Sequence, residues 1–173
     1  LYDLASLTKL FTLVSVMQLV DSGRLSLDDR VDERENRFPG LHGAKLHEVL
    51  SYQAVLRTPE RVDSQPDRAS ALKQVFSIYR AEGPEPQKLY SDMNALVLKY
   101  LIERVTGLSY CEYLKEHVFR RCGMGETYAQ VPGDRWGDCL NYNYEHRLIG
   151  GKAQVITDAA PARPHDPKAR LLC

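Results

Sequence analysis

From Leu10 to Val20 the chain is apolar except at Thr12, Ser15 and Gln18, which recur at every third position. That spacing predicts a helix over 6–22, buried on most of its circumference, with Gly23 just past its end. The run is shorter than the ~20 residues that a bilayer core requires, so protein rather than lipid must cover it. Only helices and loops are predicted to follow it at length, so part of its cover is expected to be missing. Leu1 opens almost directly into this segment, and Pro161 to Cys173 stops without a terminating element. A fragment cut at both ends is the expectation.

Punctuation residues organise the rest. The stretch over 25–43 is charged and loop-like, with a turn at Phe38-Pro39-Gly40. An amphipathic helix is predicted over 44–57 through Leu46, Val49, Leu50 and Leu56, and 61–68 reads as a polar linker. A third helix is predicted over 69–81, burying Leu72, Val75, Phe76 and Tyr79. Gly83-Pro84-Glu85-Pro86 cannot continue it. A strong helix then runs to Thr106, with Met93, Leu96, Val97, Leu101 and Val105 inward and Gly107 as its stop. Ser109-Tyr110-Cys111-Glu112 fits the capping box S-x-x-E and starts a helix to Cys122. Beyond Met124 only 147–149 and 153–157 have strand character.

Charge and cysteine exclude several functions. In 173 residues, 23 basic side chains balance 23 acidic ones, so no global field recruits nucleic acid or an anionic membrane. Cys111, Cys122, Cys139 and Cys173 form no C-x-x-C pair and no zinc-like spacing with histidine, so neither metal nor cofactor is predicted. Cys111 and Cys122 would lie about 16 Å apart along one helix, beyond disulfide reach. Reduced thiols are the simpler reading.

Chemistry concentrates at the head of the apolar helix. Ser6 and Lys9 are three positions apart, so hydroxyl and amine share a helical face about 5–6 Å apart. The positive end of the helix favours negative charge developing at the serine. A lysine among apolar neighbours loses solvation of its ammonium form, and its pKa is expected to fall into the range of a base. S-x-x-K alone is common by chance, and a serine cap followed by an exposed lysine is its usual meaning. Tyr90, alone, is equally a surface aromatic ahead of a helix capped by Asp92.

The surroundings sharpen the pattern. Tyr2-Asp3-Leu4-Ala5-Ser6-Leu7-Thr8-Lys9-Leu10-Phe11-Thr12 resembles the nucleophile segment of the serine beta-lactamase and penicillin-binding protein superfamily, in the branch of class C enzymes, esterases and D,D-peptidases. Gly23 to Asp29 resembles the turn after that helix. Leu89-Tyr90-Ser91-Asp92-Met93-Asn94 is similar to the second motif, Y-x-N or Y-S-D, and Ser109 to Met124 to the following helix and G-M turn.

The resemblance implies the helical portion of an α+β beta-lactamase/transpeptidase-like fold, mainly α here, with most of the antiparallel sheet missing. One partial domain over 1–173 is expected: a helical region over 1–125 carrying both motifs, then a loop-rich segment over 126–173 with short strands. It implies Ser6 as the acylated nucleophile, Lys9 as the group that accepts its proton or holds the neighbouring network in place, Tyr90 as a second proton carrier, a phenolate stabilised by the lysine that delivers a proton to the leaving group, and Asp92 as a substrate-binding position. Many relatives have asparagine there, and a carboxylate cannot donate a hydrogen bond unless protonated.

The implied substrates are a small-molecule ester, a beta-lactam or a peptide. No K-T-G or H-x-G triplet follows Tyr90, although His165-Asp166-Pro167 resembles a segment ahead of that third motif in some relatives. In the family that motif sits on a strand donating to the oxyanion, so weak or no turnover is expected of this chain. A non-catalytic helical module that binds peptides or a partner is the alternative.

Overall fold

The computed structural model describes residues 1–82, 88–140, 145–149, 152–156, 162, 164 and 166–172. The expected breaker at 83–86, His165 and Cys173 lie outside them. A 3₁₀ turn, Ala5–Leu7, leads into helix α1, Thr8–Asp21. Ser6 therefore stands in the turn ahead of α1 rather than on it. Gly23, at φ 70°, ends the helix as predicted, with the Arg24 amide donating back to the Leu19 carbonyl over 2.9 Å.

α1 is oriented differently from the expectation. Thr12 and Ser15 are buried beside Val16 and Leu19, whereas Leu7, Leu10, Leu13, Val14 and Met17 are 41–58% exposed. The polar side chains can face inward because each has a partner. Thr12 Oγ1 shares a 2.7 Å hydrogen bond with the Tyr110 hydroxyl, and Ser15 Oγ donates to the Phe11 carbonyl over 2.7 Å. Gln18 donates to the His117 carbonyl over 3.0 Å and accepts from the Tyr113 hydroxyl at 3.2 Å. The every-third-residue pattern thus marks the packed face of α1, where satisfied hydrogen bonds remove the penalty for burying polar groups.

The loop over 25–43 is more structured than its charge suggests. It contains α2, Val31–Arg34, and a 3₁₀ turn at Pro39–Leu41, and it sends Val31, Phe38 and Leu41 fully into the core. The helix predicted over 44–57 shrinks to α3, Leu46–Leu50, because Tyr52 adopts a left-handed backbone at φ 61°. Leu56 is buried in strand β1, Leu56–Arg57. The linker expected over 61–68 is a 3₁₀ turn, Val62–Ser64, with Val62 buried.

The third predicted helix is α4, Arg68–Phe76, started by Asp67, whose carboxylate accepts from the Ser70 amide over 2.8 Å. It stops short of 81, where Tyr79–Arg80 forms β2, antiparallel to β1. The strand turns Ile78 into the core and leaves Tyr79 exposed, reversing the helical expectation.

α5, Asp92–Thr106, is the long helix anticipated, capped by Ser91 rather than Asp92 and closed by Gly107 at φ 74°. Val97, Leu98, Leu101 and Ile102 bury its inner face. Both arms of the Ser109–Glu112 capping box form at α6, Tyr110–Tyr113. The turn then widens into a π-helix, Leu114–Phe119, whose Phe119 meets Phe11 edge-on at 5.1 Å. α1 lies against α5 and this π-segment, so its first turn is brought to the start of α5.

Glu145–Ile149 (β3) and Lys152–Ile156 (β4) pair antiparallel, as their strand character suggested. Thr157, the last residue of that expectation, lies outside the described residues. A final helix, α7, Pro167–Leu172, rests on α4 and buries Leu172. No helix among the described residues is long and apolar enough to cross a membrane.

Candidate active site

Two features hold Ser6 ahead of α1. Asp3 Oδ1 accepts the Ala5 amide over 2.7 Å, and Ala5 sits at φ 47°, a left-handed conformation that a residue with a Cβ adopts at a cost of about 1–2 kcal/mol. The turn leaves the Ser6 side chain exposed at the mouth of the site. One helical turn on, Lys9 points back and its Nζ donates to Ser6 Oγ over 3.0 Å.

The second sequence element meets this pair. Lys9 Nζ lies 2.7 Å from Asp92 Oδ1 and 5.1 Å from the centre of the Tyr90 ring. Asp92 opens α5, where the positive end of the helix favours its carboxylate. The structure therefore brings together all four residues singled out in the sequence, Ser6, Lys9, Tyr90 and Asp92.

Electrostatics act on Lys9 and Tyr90 in opposite directions. Loss of solvation is the largest single influence on Lys9 and lowers its pKa, but the hydrogen bonds and charges of Asp92 and Tyr90 together raise it above the ordinary lysine value. The expected fall in the Lys9 pKa is therefore reversed, and Asp92 favours its ammonium form. Tyr90 moves the other way. Its phenol is held below the ordinary tyrosine value chiefly by the Ser6 hydrogen bond, reinforced by Lys9. Burial is the largest influence on Asp92 and raises its pKa, yet Lys9 and Lys168 bring the net value below the usual carboxylate range.

Two neighbours went unnoticed in the sequence. Lys168, on α7, places Nζ 3.0 Å from Asp92 Oδ2 and 3.1 Å from Asp166 Oδ2. Tyr52 lays its ring 5.2 Å from that of Tyr90. Both join the site only through tertiary packing, so no local spacing announces them. A cleft of about 310 Å³ opens beside Tyr90 and Asp92, with Thr58, Arg61, Asp63 and Lys168 on its walls. No group of three His, Cys, Asp or Glu side chains among the described residues is arranged to hold a metal.

An ammonium fixed against a serine hydroxyl, under a phenol of lowered pKa, can support proton transfer from that hydroxyl. Comparisons with known proteins agree with this reading of the fold. Residues 1–160 match the family model described as Beta-lactamase. Protein flp of Staphylococcus aureus (strain MW2) is 26% identical over 166 residues, covering 90% of this chain and 32% of that protein. Penicillin-binding protein 4* of Bacillus subtilis (strain 168) is 28% identical over 140 residues, covering 73% of this chain and 30% of its own length. A solved class C beta-lactamase in complex with cefoxitin superposes with a TM-score of 0.69 at 18% identity, over 93% of this chain and 46% of that one. The chain spans about a third of the length of the curated relatives it matches.

Proposed function

The chain belongs to the beta-lactamase family, and from that premise we propose that it is the helical part of a serine hydrolase acting on an ester or amide through an acyl-enzyme on Ser6. The observation that carries this reading is the 3.0 Å contact from the Lys9 ammonium to Ser6 Oγ, made beneath the Tyr90 ring. Ser6 Oγ attacks the carbonyl carbon while its proton passes to Tyr90, ionised with the help of Lys9. Lys9 remains an ammonium throughout and stabilises the phenolate. Tyr90 then hands the proton to the departing alkoxide or amine, leaving the acyl group on Ser6 for water to remove.

Asp92 bears on the substrate class. Both its carboxylate oxygens are engaged by lysines, so it offers no donor to a substrate amide. That favours esters or small peptides over substrates that need a side-chain amide at this position. The names of the relatives bring penicillins and other beta-lactams into the set to be tried.

Labelling with a fluorescent penicillin and with a fluorophosphonate tests the proposal. Label on the wild-type chain that disappears in Ser6→Ala supports it. Label indifferent to that change removes it and leaves a binding module.

A further inference from the structure

Tyr90 is 59% exposed, so burial does not fix its ring, yet a proton carrier must be held to a fraction of an ångström. We propose that Tyr52 is the positioning residue that fixes Tyr90, and that Asn94 locks Tyr52 in place. The functional part of this inference rests on the hydrolase reading above; the structural part stands without it.

Three contacts join the Tyr52 loop to the Tyr90 segment. The two rings lie 5.2 Å apart, tilted by 41°, within the range of favourable aromatic pairing. The Tyr52 carbonyl accepts the amide of Leu89, the residue before Tyr90, over 3.1 Å. Asn94, on the first turns of α5 and 1% exposed, donates its side-chain amide to the carbonyls of Val49 at 2.9 Å and Ala54 at 3.3 Å. Those carbonyls bracket Tyr52. One buried side chain therefore clamps both ends of the loop to the helix that begins two residues after Tyr90.

The backbone of Tyr52 supports the same conclusion. At φ 61° it occupies a region that is a genuine outlier for a bulky side chain. Such strain persists where surrounding contacts over-determine it, and it gathers at functional sites. Glycine would satisfy the turn with less strain, but it would provide no ring against Tyr90. The loop also faces the charged pair. Burial raises the Tyr52 phenol above the ordinary tyrosine value, with Tyr90 and Asp92 adding to the rise and Lys9 opposing it.

The test compares Tyr52→Phe, Tyr52→Leu and Tyr52→Gly in the same chain. Tyr52→Gly relieves the left-handed backbone and guards against simple loss of fold. The first readout is the NMR resonance and titration of selectively labelled Tyr90, which needs no turnover. Tyr52→Phe should retain the wild-type Tyr90 signals, while Tyr52→Leu and Tyr52→Gly should displace them. The second readout is the rate of Ser6 labelling by a fluorophosphonate. It should stay within about twofold in Tyr52→Phe and fall about tenfold to a hundredfold in the other two. Unchanged Tyr90 signals in Tyr52→Leu and Tyr52→Gly overturn the proposal, as does a Tyr52→Phe chain as impaired as Tyr52→Leu. If wild-type Ser6 takes no label, the hydrolase reading fails, and the resonances still decide whether Tyr52 positions Tyr90.

Discussion

Lys9 Nζ lies 2.7 Å from Asp92 Oδ1, closer than its 3.0 Å approach to Ser6 Oγ. Asp92 therefore favours the ammonium form of Lys9, and Lys168 shares the same carboxylate from the opposite chain end. In Asp92→Asn the lysine loses its counter-charge while desolvation remains, so its pKa should fall below the wild-type value, as NMR titration of labelled Lys9 would register.

The same cluster predicts a stability profile. Lys9 has a raised pKa when folded, so its contribution is complete below the ordinary 10.5 and is lost as pH rises through the raised value. Asp92 has a lowered one, so its contribution is complete above the ordinary 3.8 and is lost as pH falls through the lowered value. Thermal melts across pH should show a plateau between those limits. Asp92→Asn should lower the plateau by about 1 kcal/mol and flatten both edges.

Much of this site was legible because its parts are local. Ser6 and Lys9 meet through helical spacing, and Tyr90 and Asp92 flank a cap that Ser91 makes. Gly107 and the Ser109–Glu112 box delimit the helices around them. What escaped depends on contacts between distant segments. Two-residue strands such as Leu56–Arg57 and Tyr79–Arg80 are too short to show a period, so the helical patterns over 44–57 and 69–81 run on through them. Local sequence shows only the desolvation of Lys9, because Asp92, which raises its pKa, lies 83 positions away in the chain.

Glu35 illustrates a second buried charge, one tied to the fold rather than to the site. Its side chain is fully buried and accepts two hydrogen bonds from the Arg37 guanidinium, at 2.9 and 2.7 Å, while Arg37 lies over Phe76 and Tyr100. Burial raises the Glu35 pKa, but the Arg37 hydrogen bonds more than compensate and bring it below the ordinary carboxylate value. Arg37→Ala should cost about 3–5 kcal/mol in denaturant unfolding, because it strands a buried carboxylate. Arg37→Lys should recover only part of this, since an ammonium cannot make the two-pronged contact.

Thr12 and Tyr110 give a cleaner test of the polar interface along α1. Their 2.7 Å hydrogen bond is enclosed, and burial pushes the Tyr110 phenol up to about 12. Thr12→Val should cost about 1–3 kcal/mol by leaving that hydroxyl unpaired. Adding Tyr110→Phe should restore part of the loss, a coupling that a double-mutant cycle measures. The wild-type chain should also lose stability as pH rises from 10 towards 12, because the folded state favours the neutral phenol.

The orientation of α1 can be tested by comparing its two faces. Leu13 is 41% exposed and Leu19 only 2%, although both are leucines within one apolar run. If Thr12, Ser15 and Gln18 mark the packed face, Leu13→Lys should shift the unfolding free energy by about 1 kcal/mol or less. Leu19→Ala should cost about 2–5 kcal/mol, since it opens a cavity in the core. Leu13→Lys should also reduce binding of a hydrophobic dye, because Leu10, Leu13 and Met17 together form an apolar surface. Comparable losses from the two substitutions would mean that both faces are buried, and the helix would then be covered all round, as its composition first suggested.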